Sequence, residues 1–133
     1  MNYYIYLITP FFAWLVCGIL KFLINSLKEK RLAFDLIGYG GMPSNHSAIV
    51  SSMVSLIAFK EGIDTPVFGV ALTLAYIVVL DANGLRKKIE RHAITINTFR
   101  NYQQPVLRER IGHSKIEISI GIFVGIIVGA LLT

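Results

Sequence analysis

Cysteine is nearly absent from this chain of 133 residues: the single Cys17 sits in an apolar run, so there is no disulfide framework and redox compartment stays undefined. Charge is also scarce, with 16% of residues Asp, Glu, Lys or Arg against 54% hydrophobic, and a mean hydropathy of +0.61. That is more apolar surface than a soluble domain of this length can bury, which argues against a water-soluble fold and for an integral membrane protein. Acidic residues number 8 against 13 basic. The resulting excess of +5 would suggest nucleic acid only if the basic residues shared a folded polar face. They lie between apolar runs instead, where membrane topology accounts for them, so no nucleic-acid partner is expected. The start Met1-Asn2-Tyr3-Tyr4 lacks the basic region and later cleavage site of a secretory signal. No repeat, low-complexity tract or linker is present, so residues 1–133 read as a single membrane domain. Neither a cofactor motif nor a dedicated metal-ligand motif is found.

What the sequence does contain is four apolar runs. Residues 3–27 carry one charge, Lys21, and are long enough to span, with Tyr3, Tyr4 and Tyr6 suited to an interfacial belt. A polar connector at 28–41, holding Lys28, Lys30 and Arg31, leads to a second run at 48–59 and, past a short turn, a third at 67–80. These two are too short to cross about 30 Å of hydrocarbon alone. Each helix is therefore expected to continue through its polar end, setting His46, Asp81 and Arg86 inside the protein near the interface, where ionisable residues are usually functional. The rival reading is two helices buried by neighbours, with those residues at the water line. A polar, basic stretch at 87–110 precedes the last run, 116–132. The expected fold is all-α: a polytopic membrane bundle of about four transmembrane helices. The connectors 28–41 and 87–110 then share one face, the cytoplasmic one by the positive-inside rule, and both termini lie outside.

Two stretches carry chemistry. In Gly40-Gly41-Met42-Pro43-Ser44-Asn45-His46-Ser47-Ala48 the glycines let the backbone approach a ligand, Pro43 sets φ for a first helical turn, and serine caps the helix. The amides of that turn would hold a phosphate and His46 could give it a proton. An ordinary loop before a membrane helix is the plain alternative. In the last run His113, Glu117, Gly121, Gly125 and Gly129 recur every four residues and form one stripe. The glycines allow close approach of another helix. Glu117 leans back onto His113 and would accept its Nδ1 proton, leaving the far nitrogen as nucleophile or base. A solvated polar pair at a helix mouth, or a pair of zinc ligands, would use the same spacing.

The Pro43-Ser44-Asn45-His46 block, with His113, an acid four residues on and glycines at the next four-residue steps, resembles the type 2 phosphatidic acid phosphatase superfamily of lipid phosphatases, bacterial acid phosphatases and vanadium haloperoxidases. The block from Gly40 to Ala48, Asp81-Ala82-Asn83-Gly84-Leu85-Arg86 and Leu107-Arg108-Glu109-Arg110-Ile111-Gly112-His113 are similar to its small divergent branch. The resemblance implies a lipid phosphate phosphatase without cofactor: His113 as nucleophile with Glu117 as its orienter, and His46 as general acid. Phosphate would be held by Arg86, Ser44, Asn45, Lys28, Arg31 and Lys21, with Asp81, Gly40 and Gly41 in support. The sequence departs at Asn45, where the superfamily has glycine, and at Arg108, which stands one residue out of register before His113. Arg86 would supply that guanidinium. His92 has the register with Arg86 but lacks the following acid and reads as a solvated helical histidine. The substrate expected is a phosphatidylglycerophosphate or phosphatidic acid type of phosphomonoester, taken from the bilayer. The alternative is a binding or transport protein for such lipids. A chain this small is compatible with a homodimer that completes the bundle.

Overall fold

The computed structural model describes residues 3–37 and 41–133. Five α-helices are formed: α1 Tyr4–Glu29, α2 Asn45–Lys60, α3 Pro66–Asn83, α4 Leu85–Phe99 and α5 Lys115–Leu131, with a 3-10 turn at Phe34–Leu36. No strand occurs among the described residues. The all-helical expectation holds, with one correction at 87–110. The first part of that stretch is not a connector but α4, nearly continuous with α3 and separated from it at Gly84 (φ −94°, ψ −88°). A Cβ at Gly84 would lie 2.9 Å from the Leu80 carbonyl oxygen, so the joint needs glycine for space.

Two rods are long and apolar enough to cross a membrane: α1 and the continuous 66–99 segment. At 26 residues α1 is about 39 Å long, whereas α2 (16) and α5 (17) reach only about 24 and 26 Å. The outward side chains suit hydrocarbon. Phe11 and Trp14 on α1, Val70 and Tyr76 on α3, and Phe123 on α5 are all more than half exposed, and only Ala75 and Ala82 of α3 are buried. In water so much exposed apolar surface would drive association.

The centre is α2, which is buried although it contains Ser47, Ser51, Ser52 and Ser55. Small side chains explain this. A Cβ on Gly121 would stand 2.5 Å from the Ser44 carbonyl oxygen, one on Gly129 2.5 Å from that of Ser52, and one on Gly125 would collide with the Ala48 carbonyl. The glycine stripe of α5 therefore meets a matching stripe of serine and alanine on α2, and the two helices run parallel at backbone contact. Ser55 Oγ donates to the Ile126 carbonyl (3.0 Å).

The other helices run against this pair. Tyr6 of α1 donates its hydroxyl to Glu61 beyond the end of α2, while the Cys17 thiol lies 3.8 Å from the Pro43 carbonyl before its start. Thus the C-terminal half of α1, the C-terminal end of α3 and the N-terminal ends of α2 and α5 gather at one end of the bundle, with the last turns of α1 running past the start of α2. The first turn of α1 and the last turn of α5 lie at the other end.

Candidate active site

The start of α2 is held firmly. Ser44 is the N-cap: its Oγ accepts from the Ser47 amide (3.4 Å) and from the Ser47 hydroxyl (3.0 Å). Its own amide donates to the Glu117 carbonyl (3.1 Å), tying the start of α2 to that of α5. Gly41 has φ +141°, a conformation that favours glycine. Pro43 is not in the first helical turn: the peptide before it is cis and the helix begins two residues later, at Asn45. Gly40 lies outside the described residues.

Next to this turn an open cavity of about 710 Å³ is lined at its polar end by Lys21, Asn45, His46, Arg86, Arg108 and His113. Its apolar wall is built by Trp14, Leu15, Ile19 and Phe22 of α1 with Ile49 of α2. Position along α1 orders the two: Lys21 is nearer the gathered helix ends, and Trp14 to Ile19 extend toward the bundle's middle.

Arg86 follows the Gly84 joint, which turns its side chain back toward the bundle. Its Nε donates to Asp81 Oδ2 (2.9 Å), and its Nη2 stands 3.4 Å from His46 Nε2. Asp81 thus orients Arg86, and Arg86 faces His46. A donor there favours the neutral His46 tautomer with its proton on Nδ1. A charged His46 would need an anion between it and the guanidinium.

His113 is 4% exposed and immediately precedes Ser114, the N-cap of α5. Its amide donates to the Ala82 carbonyl (3.2 Å), which ties it to the end of α3. Burial, then the charge of Lys21, pushes the imidazole pKa down, with the Glu117 carboxylate pulling the other way. The neutral ring is therefore favoured. Glu117 is nearby but otherwise engaged: Oε2 accepts the Ser114 amide at 2.7 Å in a capping box and lies 3.5 Å from His113 Nδ1, which has no hydrogen bond of its own. The expected imidazole–carboxylate hydrogen bond is thus a longer polar contact, because the capping role holds the carboxylate over the helix end.

Lys21 is 8% exposed, and among the described residues no carboxylate lies within ion-pair distance of it. Asn45 lines the cavity with a buried Oδ1 that lacks a partner among the described residues.

Three expected phosphate ligands are not brought to the wall. Ser44 is fully buried beneath the helix start, where capping occupies it. Arg31 makes a two-pronged exposed pair with Asp35 (2.7 and 3.0 Å), holding that carboxyl below its usual range, and Lys28 is exposed on the last turn of α1. His92 is exposed on α4 and is not among the cavity residues. Arg108 is the cationic residue that the spacing argument passed over. It reaches the cavity from the irregular segment before His113, and the one-residue register slip was the signal. Among the described residues no group of three or more His, Cys, Asp or Glu side chains gathers to hold a metal.

Residues 4–128 match the family described as "Divergent PAP2 family". A Bacillus subtilis (strain 168) protein described as "Uncharacterized membrane protein YuiD" is 29% identical over 145 aligned positions, covering 95% of this chain and 92% of the relative. No solved structure matches the chain.

Proposed function

We propose, from the premise that this chain belongs to the Divergent PAP2 family, that it is a membrane phosphatase acting on lipid phosphomonoesters. The observation that carries this reading is the cavity itself, where Lys21, His46, Arg86 and the pair Arg108 and His113, from four segments of the chain, meet at the polar end of a wall of apolar α1 side chains. Such a site suits an amphiphile with its phosphate among the cations and its chain along Trp14 to Ile19. Asp81 is paired to Arg86, and Lys21, with no carboxylate in ion-pair distance among the described residues, favours a phosphomonoester dianion over a diester.

In this reading the neutral His113 attacks phosphorus through Nε2 while the ester oxygen departs and takes a proton from His46. Arg86, Arg108 and Lys21 neutralise the phosphoryl oxygens, where most of the rate enhancement in such transfers arises. Water then attacks the phosphohistidine, His46 receives its proton, and phosphate and the free imidazole are released. The bound phosphate is the anion that lets His46 carry charge beside Arg86. Glu117 steadies the imidazolium character of His113 across 3.5 Å. By the positive-inside rule the site faces the cytoplasm, and the substrate comes from the inner leaflet as a phosphatidylglycerophosphate or phosphatidic acid type of lipid. The long His113–Glu117 contact favours one other reading, a protein that binds lipid phosphate without chemistry.

The test is phosphate release from a panel of lipid phosphates by the purified protein in detergent. Metal-independent turnover blocked by vanadate is expected. His113→Ala should abolish both turnover and an acid-labile phosphoenzyme, and His46→Ala should slow turnover by about 10²–10⁴-fold. Vanadate binding without phosphate release would replace the phosphatase with the binding protein. Activity lost in chelator and restored by zinc or magnesium would contradict the histidine mechanism.

A further inference from the structure

Residues 100–114 form no helix, yet they supply both Arg108 and His113 to the cavity. An irregular segment of this length needs something to fix it if its side chains are to hold position. Two side chains of α4 do so. Asn97, 1% exposed, grips Leu107 from both sides of its peptide unit: Nδ2 donates to the Leu107 carbonyl (2.7 Å) and Oδ1 accepts the Leu107 amide (2.9 Å). Nδ2 also donates to Glu109 Oε1 (3.0 Å). Two turns earlier, Glu90 Oε2 accepts the amides of Ile111 (3.2 Å) and Gly112 (2.9 Å), while Oε1 accepts from Lys87 Nζ (3.1 Å). Gly112 lies flat on Lys87, where a Cβ would come within 2.8 Å of its side chain.

The clamped peptides directly precede the two residues that face the cavity: Leu107 before Arg108, and Ile111 with Gly112 before His113. In α4 the spacing of Arg86, Glu90, Ala93 and Asn97 places all four on one face. Ala93, small and buried, lets the segment lie close. An adjacent face of α4 exposes Leu85, Ile89, Ile96 and Phe99.

We propose that Glu90 and Asn97 are positioning residues that hold the 107–113 backbone so that Arg108 and His113 meet the phosphate. This rests on the reading of the cavity as a phosphate site, and the experiment separates the two. In full-length protein in detergent, hydrogen exchange of the 107–113 amides is compared with kcat and KM on a short-chain lipid phosphate for Glu90→Ala, Glu90→Gln, Asn97→Leu and, as a control, His92→Ala. Glu90→Ala should speed exchange at Ile111 and Gly112 and lower kcat by about 10²-fold, the size of loss that a displacement near 1 Å produces, with little change in KM. Glu90→Gln keeps a carbonyl acceptor and should restore most of both. Asn97→Leu, which loosens the segment beside Arg108, should chiefly raise KM. His92→Ala should change neither quantity. Faster exchange in Glu90→Ala with unchanged kcat and KM would show a merely structural clamp, and unchanged exchange would show no clamp; either overturns the proposal. Should the wild-type protein release no phosphate, the phosphatase reading fails, and vanadate affinity across the same variants decides positioning: weaker binding in Glu90→Ala rescued by Glu90→Gln supports it, and equal binding refutes it.

Discussion

At the scale of single residues, the cavity gathers Lys21, Arg86 and Arg108 around two histidines. Asp81 is paired with Arg86, while Lys21 has no carboxylate within ion-pair distance among the described residues. The consequence for His113 is a depressed pKa, from burial first and Lys21 second. The active form of a nucleophilic imidazole is neutral, so the acid limb of kcat/KM should fall below the ordinary histidine value of about 6.5. Lys21→Met removes the second of these causes and should move that limb upward, whereas Lys28→Ala and Arg31→Ala, at residues outside the cavity, should leave it in place. A limb unmoved by Lys21→Met would contradict the assignment. The same shift enters folding: as pH falls the unfolded chain takes up the proton first, so the stability present above about 6.5 is lost as pH passes down through the folded-state value. His46, Arg86, Asp81 and His113 were legible in the sequence because each sits in a block whose spacing is local. Arg108 was not, since its reach depends on where an irregular segment is pinned. Glu117 was read for its chemistry alone, although the Ser114-x-x-Glu117 spacing also announces a capping box.

At the scale of elements, the contact between α2 and α5 sets the separation of the two histidines, because His46 rides on the first turn of α2 and His113 precedes α5 by two residues. Gly125→Ala would put a methyl against the Ala48 carbonyl and 2.9 Å from the Ser52 amide, backbone atoms that cannot rotate away. It should lower stability by about 1–3 kcal/mol and depress turnover with it. Gly69→Ala makes a control: a Cβ there meets nothing within 4 Å, and helix propensity favours alanine by about 1 kcal/mol. Melting in detergent should order the proteins Gly69→Ala, wild type, Gly125→Ala, from most to least stable; a neutral Gly125→Ala would mean that the helices are not at backbone contact. The four-residue glycine stripe made the α5 side of this contact readable. The α2 side was harder to see, since serines in an apolar run look like interruptions until a partner helix shows that size, rather than polarity, selects them. The segment 87–99 was misread as part of a connector because its basic residues hide the helical recurrence of Leu85, Ile89, Ile96 and Phe99.

At the scale of the whole molecule, the helices are level at the end away from the cavity, where Tyr6 meets Glu61, and differ in length toward it: Cys17 lies beside Pro43, so α1 runs on for about 18 Å past the start of α2. α1 reaches about 39 Å, against about 24 and 26 Å for α2 and α5. Lys21 lies eight residues, about 12 Å, inside the Glu29 end of α1. Hydrocarbon beside the long helix keeps its thickness, while hydrocarbon beside the short pair must thin or leave polar ends submerged, at a cost of fractions of a kcal/mol per Å. A leaflet that dips at the short pair lowers head groups toward the depth of Lys21 and Arg86, so in the proposed lipid phosphatase a substrate would meet the cations without being pulled out of its monolayer. Membrane thickness then becomes a control variable for the protein. Turnover of one lipid phosphate in vesicles should be fastest in bilayers of short-chain host lipid and fall as the host chains lengthen, and a rate indifferent to chain length would show that the surrounding membrane takes no part in delivering the substrate.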